Sequence, residues 1–495
     1  MTTQYQVVIV GSGFAGLCLA VQLKKAGIDN FVILEKEREF GGTWYANSYP
    51  GCAVDIPSIL YSFSFAPNAR WSHRFARQNE LLDYTRKVAR EFGLEPHIRL
   101  DSALQSADFN ESDGYWDVHT SQGSLSARCL VGAGGALNRP AIPQLAGLED
   151  FQGEVFHSAR WNHGVALHGK RVAVIGTGAS AVQFVPEIVG QVAKLDLFQR
   201  TAPWILPRPD RAIGAREQGL FARFKFLQRA CRALVYLHYE SRALLYLYAP
   251  RMLGIAEWMA RRHLRRQVAD PDLRVKLMPT YQFGCKRVLL ASTFYPALTQ
   301  PHVSVVTDPI ARVGRNSIIT RDGKEHAVDI IIFGTGFEVE NALHAAELRG
   351  PGGRVMFASD LESYKGCAVA GFPNYFMITG PNTGLGHNSM IYMIESGVNY
   401  VVDAVRTMRE RGLQSVAVKP EVQARYNEQV QRSLKGTVWS TGCRSWYLDK
   451  NGRNFAIWPG FTFAYRQLTR RFDSENYHCT LFRSSLESSR TPAAE

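Results

Sequence analysis

A chain of 495 residues with 46% hydrophobic and 20% charged residues can build large cores, and with 42 Gly and 22 Pro it has the composition of an ordinary α/β protein. It contains no low-complexity tract or tandem repeat, which excludes fibrous, solenoid and wholly disordered chains. A net charge of +13 admits nucleic acid, a membrane surface or an anionic cofactor, but much of it is local: residues 211–266 hold twelve Lys/Arg against Glu217, Glu240 and Glu257, a local +9.

Met1 leads almost directly into the apolar run Val7, Val8, Ile9, Val10, with no basic region, apolar stretch and cleavage site before it, so a cytoplasmic location is expected. The eight cysteines, at 18, 52, 129, 231, 285, 367, 443 and 479, form no CxxC pair and have no His at metal-ligand spacing. They are expected to be free thiols, and no metal site is expected. A polar tail from about Ser484 is the one segment expected to be disordered.

The first 35 residues read strand, glycine turn, helix, strand, acid. The turn is Gly11-Ser12-Gly13-Phe14-Ala15-Gly16, in which Gly11 permits the tight turn, Gly13 the approach of a pyrophosphate and Gly16 close packing of helix on strand. The helix that follows presents free N–H groups to phosphate oxygens. Glu35, nineteen residues after Gly16, is placed to accept hydrogen bonds from ribose hydroxyls. A carboxylate there repels a 2′-phosphate, so the site suits FAD or NAD.

A second unit opens at Lys170, with the turn Gly176-Thr177-Gly178-Ala179-Ser180-Ala181 and Ala181 in the third glycine position. Its second strand ends in Gln199-Arg200-Thr201 instead of an acid, and the donor fork of Arg200 suits a 2′-phosphate. Asp196 lies within the strand and should point elsewhere. This unit is expected to bind NADPH. Two dinucleotide sites on one chain imply that reducing equivalents pass from a nicotinamide to a flavin. Disulfide reductases also need a redox cysteine pair beside the flavin. Reductases of other acceptors and oxygen-using monooxygenases remain.

After the first unit, Gly41-Gly42-Thr43-Trp44-Tyr45-Ala46-Asn47-Ser48-Tyr49-Pro50-Gly51-Cys52-Ala53-Val54-Asp55 resembles the long fingerprint of type I Baeyer–Villiger monooxygenases at every specified position. The shorter family motif is similar to Phe151, Gly153, His157 and Trp161, with Asn162 departing from the usual Pro or Asp. His157 is expected to serve the hinge between domains. Gly284-Cys285-Lys286-Arg287 resembles the stretch that carries an active-site arginine, and Gly334-Thr335-Gly336-Phe337 the family's return strand. Residues 380–389 lead into a last helix whose N-terminus is expected to meet the isoalloxazine.

The resemblance implies an α/β fold of two doubly wound, Rossmann-like domains: FAD on about 1–145 plus 371–495, NADPH on about 150–370, with a helical insertion at about 211–266. FAD contacts fall to Gly11, Gly13, Phe14, Ala15, Gly16, Glu35, Gly42, Thr43, Trp44, Asp55 and Tyr61. NADPH contacts fall to the 176–181 turn, Arg200, Thr201 and Lys286. Arg287, oriented by Asp55, would stabilise a C4a-peroxyflavin and its adduct with a ketone, giving an ester or lactone. Oxidation of sulfur or nitrogen, and a hydrogen-peroxide-releasing NADPH oxidase, are the alternatives. Small-molecule ketone and O₂ are the expected partners, on a monomer or homodimer that binds no nucleic acid. The insertion mixes apolar residues at near-helical spacing with arginines, too interrupted to cross a bilayer. It is expected to cap the substrate entrance and to offer a basic face for weak membrane-surface contact.

Overall fold

The computed structural model describes residues 3–342, 346–357, 361–443 and 445–482; the tail from Ser484 lies outside the described residues. The chain starts with β1 (Thr3–Val10), α1 (Phe14–Lys25) and β2 (Phe31–Leu34). The last four residues of β1 pair in parallel with β2, from Val7 opposite Phe31 to Val10 opposite Leu34. On the other side β1 pairs in parallel with β3 (Gly123–Gly132). Central strands covered on both faces need near-continuous apolar runs, and Phe31 to Leu34 are all buried. Nine of the twelve residues of α1 are buried, because it is enclosed between this sheet and the long helix Met390–Glu410.

The rest of this sheet comes from Ile98–Arg99, Leu104–Asn110 and Tyr115–Thr120, with Tyr375–Met377 and Glu347–Arg349 returning late in the chain. The return begins with the edge strand Glu347–Arg349, which pairs with Leu104–Asn110, ahead of the expected crossing near 370.

The second sheet holds five parallel strands: β4 (Glu154–His157), β5 (Arg171–Ile175), β6 (Lys194–Phe198), β7 (Val303–Val306) and β8 (Ile330–Phe333). Their spatial order is β7-β6-β5-β8-β4. The turn after β5 feeds α2 (Ala179–Ile188). Between β6 and β7 the insertion forms α3 (Lys225–Leu247) and α4 (Gly254–Gln267). No helix among the described residues is long and apolar enough to cross a membrane.

Candidate functional site

The first glycine turn is built so that backbone meets backbone. A Cβ on Gly16 would lie 1.9 Å from the Gly11 carbonyl oxygen. Gly11, at φ +107°, would push one to 2.8 Å from the Ala133 oxygen, and Gly42 would set one 2.8 Å from the Gly13 Cα. The start of α1 carries neither a capping side chain nor an acid, which leaves its N–H groups for an anion. Beside it Glu35 is buried and accepts from the Ser12 amide at 3.1 Å, the Glu37 amide at 3.0 Å and the Ser12 hydroxyl. Phe14 packs on Tyr61 at 5.4 Å between ring centroids, and Tyr61 meets the edge of Trp44 at 5.6 Å. Burial pushes the Tyr61 phenol up to about 12, so it stays a neutral hydroxyl. Ala15 is buried in the first turn of α1, and Thr43 opens a single helical turn, Thr43–Ala46.

The second turn uses the same device with different partners. Gly176, at φ +105°, would carry a Cβ 2.5 Å from the Gly334 oxygen. Ala181 is fully buried, and a Cβ on Gly334 would come within 3.0 Å of its methyl. The space that a third glycine would provide is thus supplied by Gly334, just past the neighbouring strand β8. The Thr177 hydroxyl donates to the Thr201 carbonyl at 3.0 Å, tying the turn to the end of β6. Ala179 and Ser180 open α2, which again has no side-chain cap and no acid in its first turn. Arg200 is exposed, and Lys286 lies half-buried over the Tyr281 ring at 4.7 Å. Desolvation, and then the Arg200 charge, hold the Lys286 amine below its ordinary range. The two cations thus lie close enough for their charges to repel. Asp196 faces away from it, buried and bound by Lys194 Nζ at 2.8 Å.

The fingerprint loop joins the two halves. The Gln183 side chain, on α2, accepts from the Tyr49 hydroxyl at 2.9 Å and the Ala53 amide at 3.3 Å, and donates to the Ala53 carbonyl at 2.9 Å. Arg208 Nη2 donates to the Val54 carbonyl at 3.1 Å. One residue on, Asp55 Oδ2 accepts from Arg287 Nε at 2.7 Å and Nη2 at 2.6 Å, a pair formed across 232 residues. Both side chains keep about a third of their surface exposed, 34% and 33%. Arg287 Nη1 is held only weakly, 3.5 Å from the Leu385 carbonyl. Asp55 holds the guanidinium above the ordinary arginine range despite desolvation, so it is a permanent cation and not a proton donor.

The thiol expectation is overturned in part: Cys285 and Cys443 form a disulfide with Cα atoms 6.4 Å apart, while the other six cysteines are free. The fold brings together two segments 158 residues apart, which spacing rules for nearby cysteines do not detect. A cysteine pair is therefore present two residues from Arg287, although without the short spacing of a local redox motif. His157 caps a following turn by accepting from the Ala159 amide at 3.0 Å, and burial lowers it to about 4. Ser389 caps the long helix α5 (Met390–Glu410), accepting from the Ile391 amide at 3.3 Å; it is not the last helix as expected, since Pro420–Leu434 and Thr462–Leu468 follow it.

Sequence reasoning missed Gln183 and Glu240. Glu240, counted among the charges of the insertion, is buried and accepts from the Thr462 amide at 2.6 Å, the Thr462 hydroxyl at 2.8 Å and Asn388 Nδ2 at 2.5 Å. The local pattern of α3 does not mark it, since Glu240 stands three residues after the exposed Leu237 and four before the exposed Leu244.

The family model described as pyridine nucleotide-disulphide oxidoreductase matches residues 8–215. A Baeyer–Villiger monooxygenase of Pseudomonas aeruginosa is 48% identical over 481 residues, covering 96% of this chain and 91% of that protein. Among solved structures, an oxidized steroid monooxygenase bound to NADP matches with a TM-score of 0.87 at 30% identity, over 97% of this chain and all of the other. OTEMO in complex with FAD and NADP matches with a TM-score of 0.87 at 25% identity, over the same shares.

Proposed function

Because the chain belongs to the Baeyer–Villiger monooxygenase family, which uses FAD, NADPH and O₂ to turn ketones into esters or lactones, we propose that Arg287, oriented by Asp55, is the cation that stabilises negative charge developing on the reacting oxygens. The observation that carries this reading is the two-point Asp55–Arg287 contact with Nη1 left nearly unengaged. FAD reduced by NADPH supplies the chemistry that activates O₂. The chain contributes a preorganised charge that needs no reorganisation when the reaction occurs. Asp55 fixes the plane of the guanidinium, so the remaining donors point one way.

FAD is assigned to the uncapped start of α1, with Gly11, Gly13, Phe14, Ala15 and Gly16 at the pyrophosphate and Glu35 at the ribose. Gly42, Thr43, Trp44, Asp55 and Tyr61 are assigned to the flavin end. NADPH is assigned to residues 176–181, with Arg200, Thr201 and Lys286 at the 2′-phosphate, supported by the depressed Lys286 amine. Domain limits of about 1–145 and 371–495 for FAD and 150–370 for NADPH accord with the two sheets, apart from Glu347–Arg349. A cytoplasmic setting is supported by six free cysteines and opposed by the one disulfide, Cys285–Cys443. A panel of cyclic, linear, aryl and steroid ketones, read by mass spectrometry, identifies the substrate class.

Arg287→Ala tests the assignment. FAD should stay bound and NADPH should still bleach it in stopped flow, while ester formation falls roughly 10²- to 10³-fold and the NADPH consumed appears as H₂O₂. Asp55→Ala should do the same more mildly, and the double variant should cost little more than Arg287→Ala alone. Ester formation at the wild-type rate in Arg287→Ala would rule out the role given to this arginine.

A further inference from the structure

α3 is fastened along one side and apolar along the other. On the inner side Arg232 Nη1 donates to the Ile59 carbonyl at 2.6 Å and Nη2 to the Ser62 carbonyl at 2.8 Å. Gln228 donates to the Asn68 carbonyl at 2.8 Å, and Glu240 anchors Asn388 and Thr462. The helix therefore cannot roll to hide its other side. There Phe226, Leu234, Leu237, Leu244 and Tyr248 recur at three- to eight-residue intervals, each 51% to 72% exposed. The stripe runs the full 23 residues of α3, about 34 Å at 1.5 Å per residue. On α4, which follows after one short turn, Ile255 and Trp258 are likewise 68% and 59% exposed. Apolar residues scattered singly are ordinary on a surface, whereas a continuous row on a rigid helix marks a surface that something covers.

Charge identifies the occupant. The three acids of the insertion are already engaged: Glu217 with Arg211 at 2.8 Å, Glu257 with Arg261 at 2.8 Å, and Glu240 in its buried cluster. Arg223, Lys225, Arg229, Arg251, Arg262 and Arg265 are exposed and form no ion pair among the described residues. A second copy of the chain packed through this face would set +9 against +9. An anionic bilayer takes both features at once. The apolar row enters the acyl boundary, Tyr248 and Trp258 sit at headgroup depth, and long arginines reach back to lipid phosphates.

We propose that the outer face of α3 and α4 seats the protein on an anionic membrane surface, with α3 lying in the plane of the interface, and that the ketones it oxidises include ones that partition into lipid. The second part rests on the monooxygenase assignment above and on what α3 touches. Its Tyr246 packs beside Gly284, three residues from Arg287, and on Trp439 at 5.7 Å, so the helix separates the outer face from the Arg287 cleft.

The full-length holoenzyme is sedimented at physiological salt with vesicles of phosphatidylcholine alone or containing phosphatidylserine. Binding is expected only to the second, with Trp258 emission shifting to the blue. Leu237→Asp with Leu244→Asp should lower the bound fraction at least about tenfold. Arg229→Glu with Arg262→Glu should do likewise and remove the salt dependence. All these variants should keep FAD content and turnover of a water-soluble ketone, which separates loss of docking from loss of fold. Wild-type protein staying wholly in the supernatant with anionic vesicles overturns the proposal. So does capture by duplex DNA that the Asp variants leave intact, or a dimer that Leu237→Asp and Leu244→Asp dissociate. If docking holds but turnover of long-chain ketones is unaffected by vesicles, the membrane role stands and the lipid-derived substrate falls.

Discussion

The two nucleotide units solve one packing problem with opposite tolerance. In the first, the third glycine is compulsory, because a methyl on Gly16 would sit 1.9 Å from the Gly11 oxygen, inside the unit itself. In the second, Ala181 occupies that position because Gly334, on the neighbouring β8–turn segment, gives up its own side chain. The same contrast holds for charge: the first unit ends β2 in a buried acid, the second ends β6 in an exposed arginine with a lysine beside it. A fingerprint is therefore a statement about space and charge, and the residue that provides the space need not belong to the motif.

Breaking the packing side of this contrast has the largest expected effect. Gly16→Ala should cost about 3 kcal/mol or more, since the overlap is with backbone that cannot move aside, and should yield protein without FAD. Ala181→Gly should cost only about 1 kcal/mol, the difference in helix propensity, and leave NADPH affinity near wild type. Flavin absorbance per mole of protein and thermal melting measure both. Equal losses in the two variants would mean that the turns do not differ.

The charge side comes next. Arg200→Ala and Lys286→Ala should each lower kcat/KM for NADPH roughly 10- to 150-fold, about 1.5 to 3 kcal/mol for a charge-assisted contact, and leave NADH nearly unchanged. Lys286 adds a pH signature. Its amine titrates below its ordinary range, so NADPH affinity should weaken as pH rises toward that lowered value, and Lys286→Arg should flatten the dependence. Parallel losses for NADPH and NADH would remove the 2′-phosphate from this site.

What could be read from the sequence follows this division. The turns, the acid at 35 and the arginine at 200 are local, with each spacing fixed by one strand and one helix start. The Asp55–Arg287 pair spans 232 residues and was legible only through family motifs at both of its ends. The Cys285–Cys443 bond, the Gln183 clamp and the edge strand Glu347–Arg349 join distant segments without a short pattern, so local spacing was silent about them. Glu240 was counted only as one formal charge of the insertion, because burial of one acid depends on the loops it meets, Asn388 and Thr462, and not on its own helix.

The smallest expected effect concerns how the two halves respond to acid. The two most deeply buried histidines among the described residues fall one in each half, both 3% exposed: His157 at the end of β4, and His387 in the loop before α5. Burial lowers both to about 4, helped at His157 by Arg160 and at His387 by Arg242. The unfolded chain binds these protons near 6.5, so the folded form binds fewer protons between about 6.5 and 4, and stability rises with pH across that window. The contribution is fully present above 6.5 and is lost as pH falls toward 4. At pH 5 the loss should be about 1 to 2 kcal/mol per histidine. His157→Gln keeps an acceptor for the Ala159 amide and cannot titrate, so its melting temperature should fall less than wild type between pH 7 and 5. His387→Gln should do the same independently, because the two sites share no partner. A wild-type melting temperature that does not change over this range, or variants that fall as steeply as wild type, would mean that neither histidine is kept neutral by the fold.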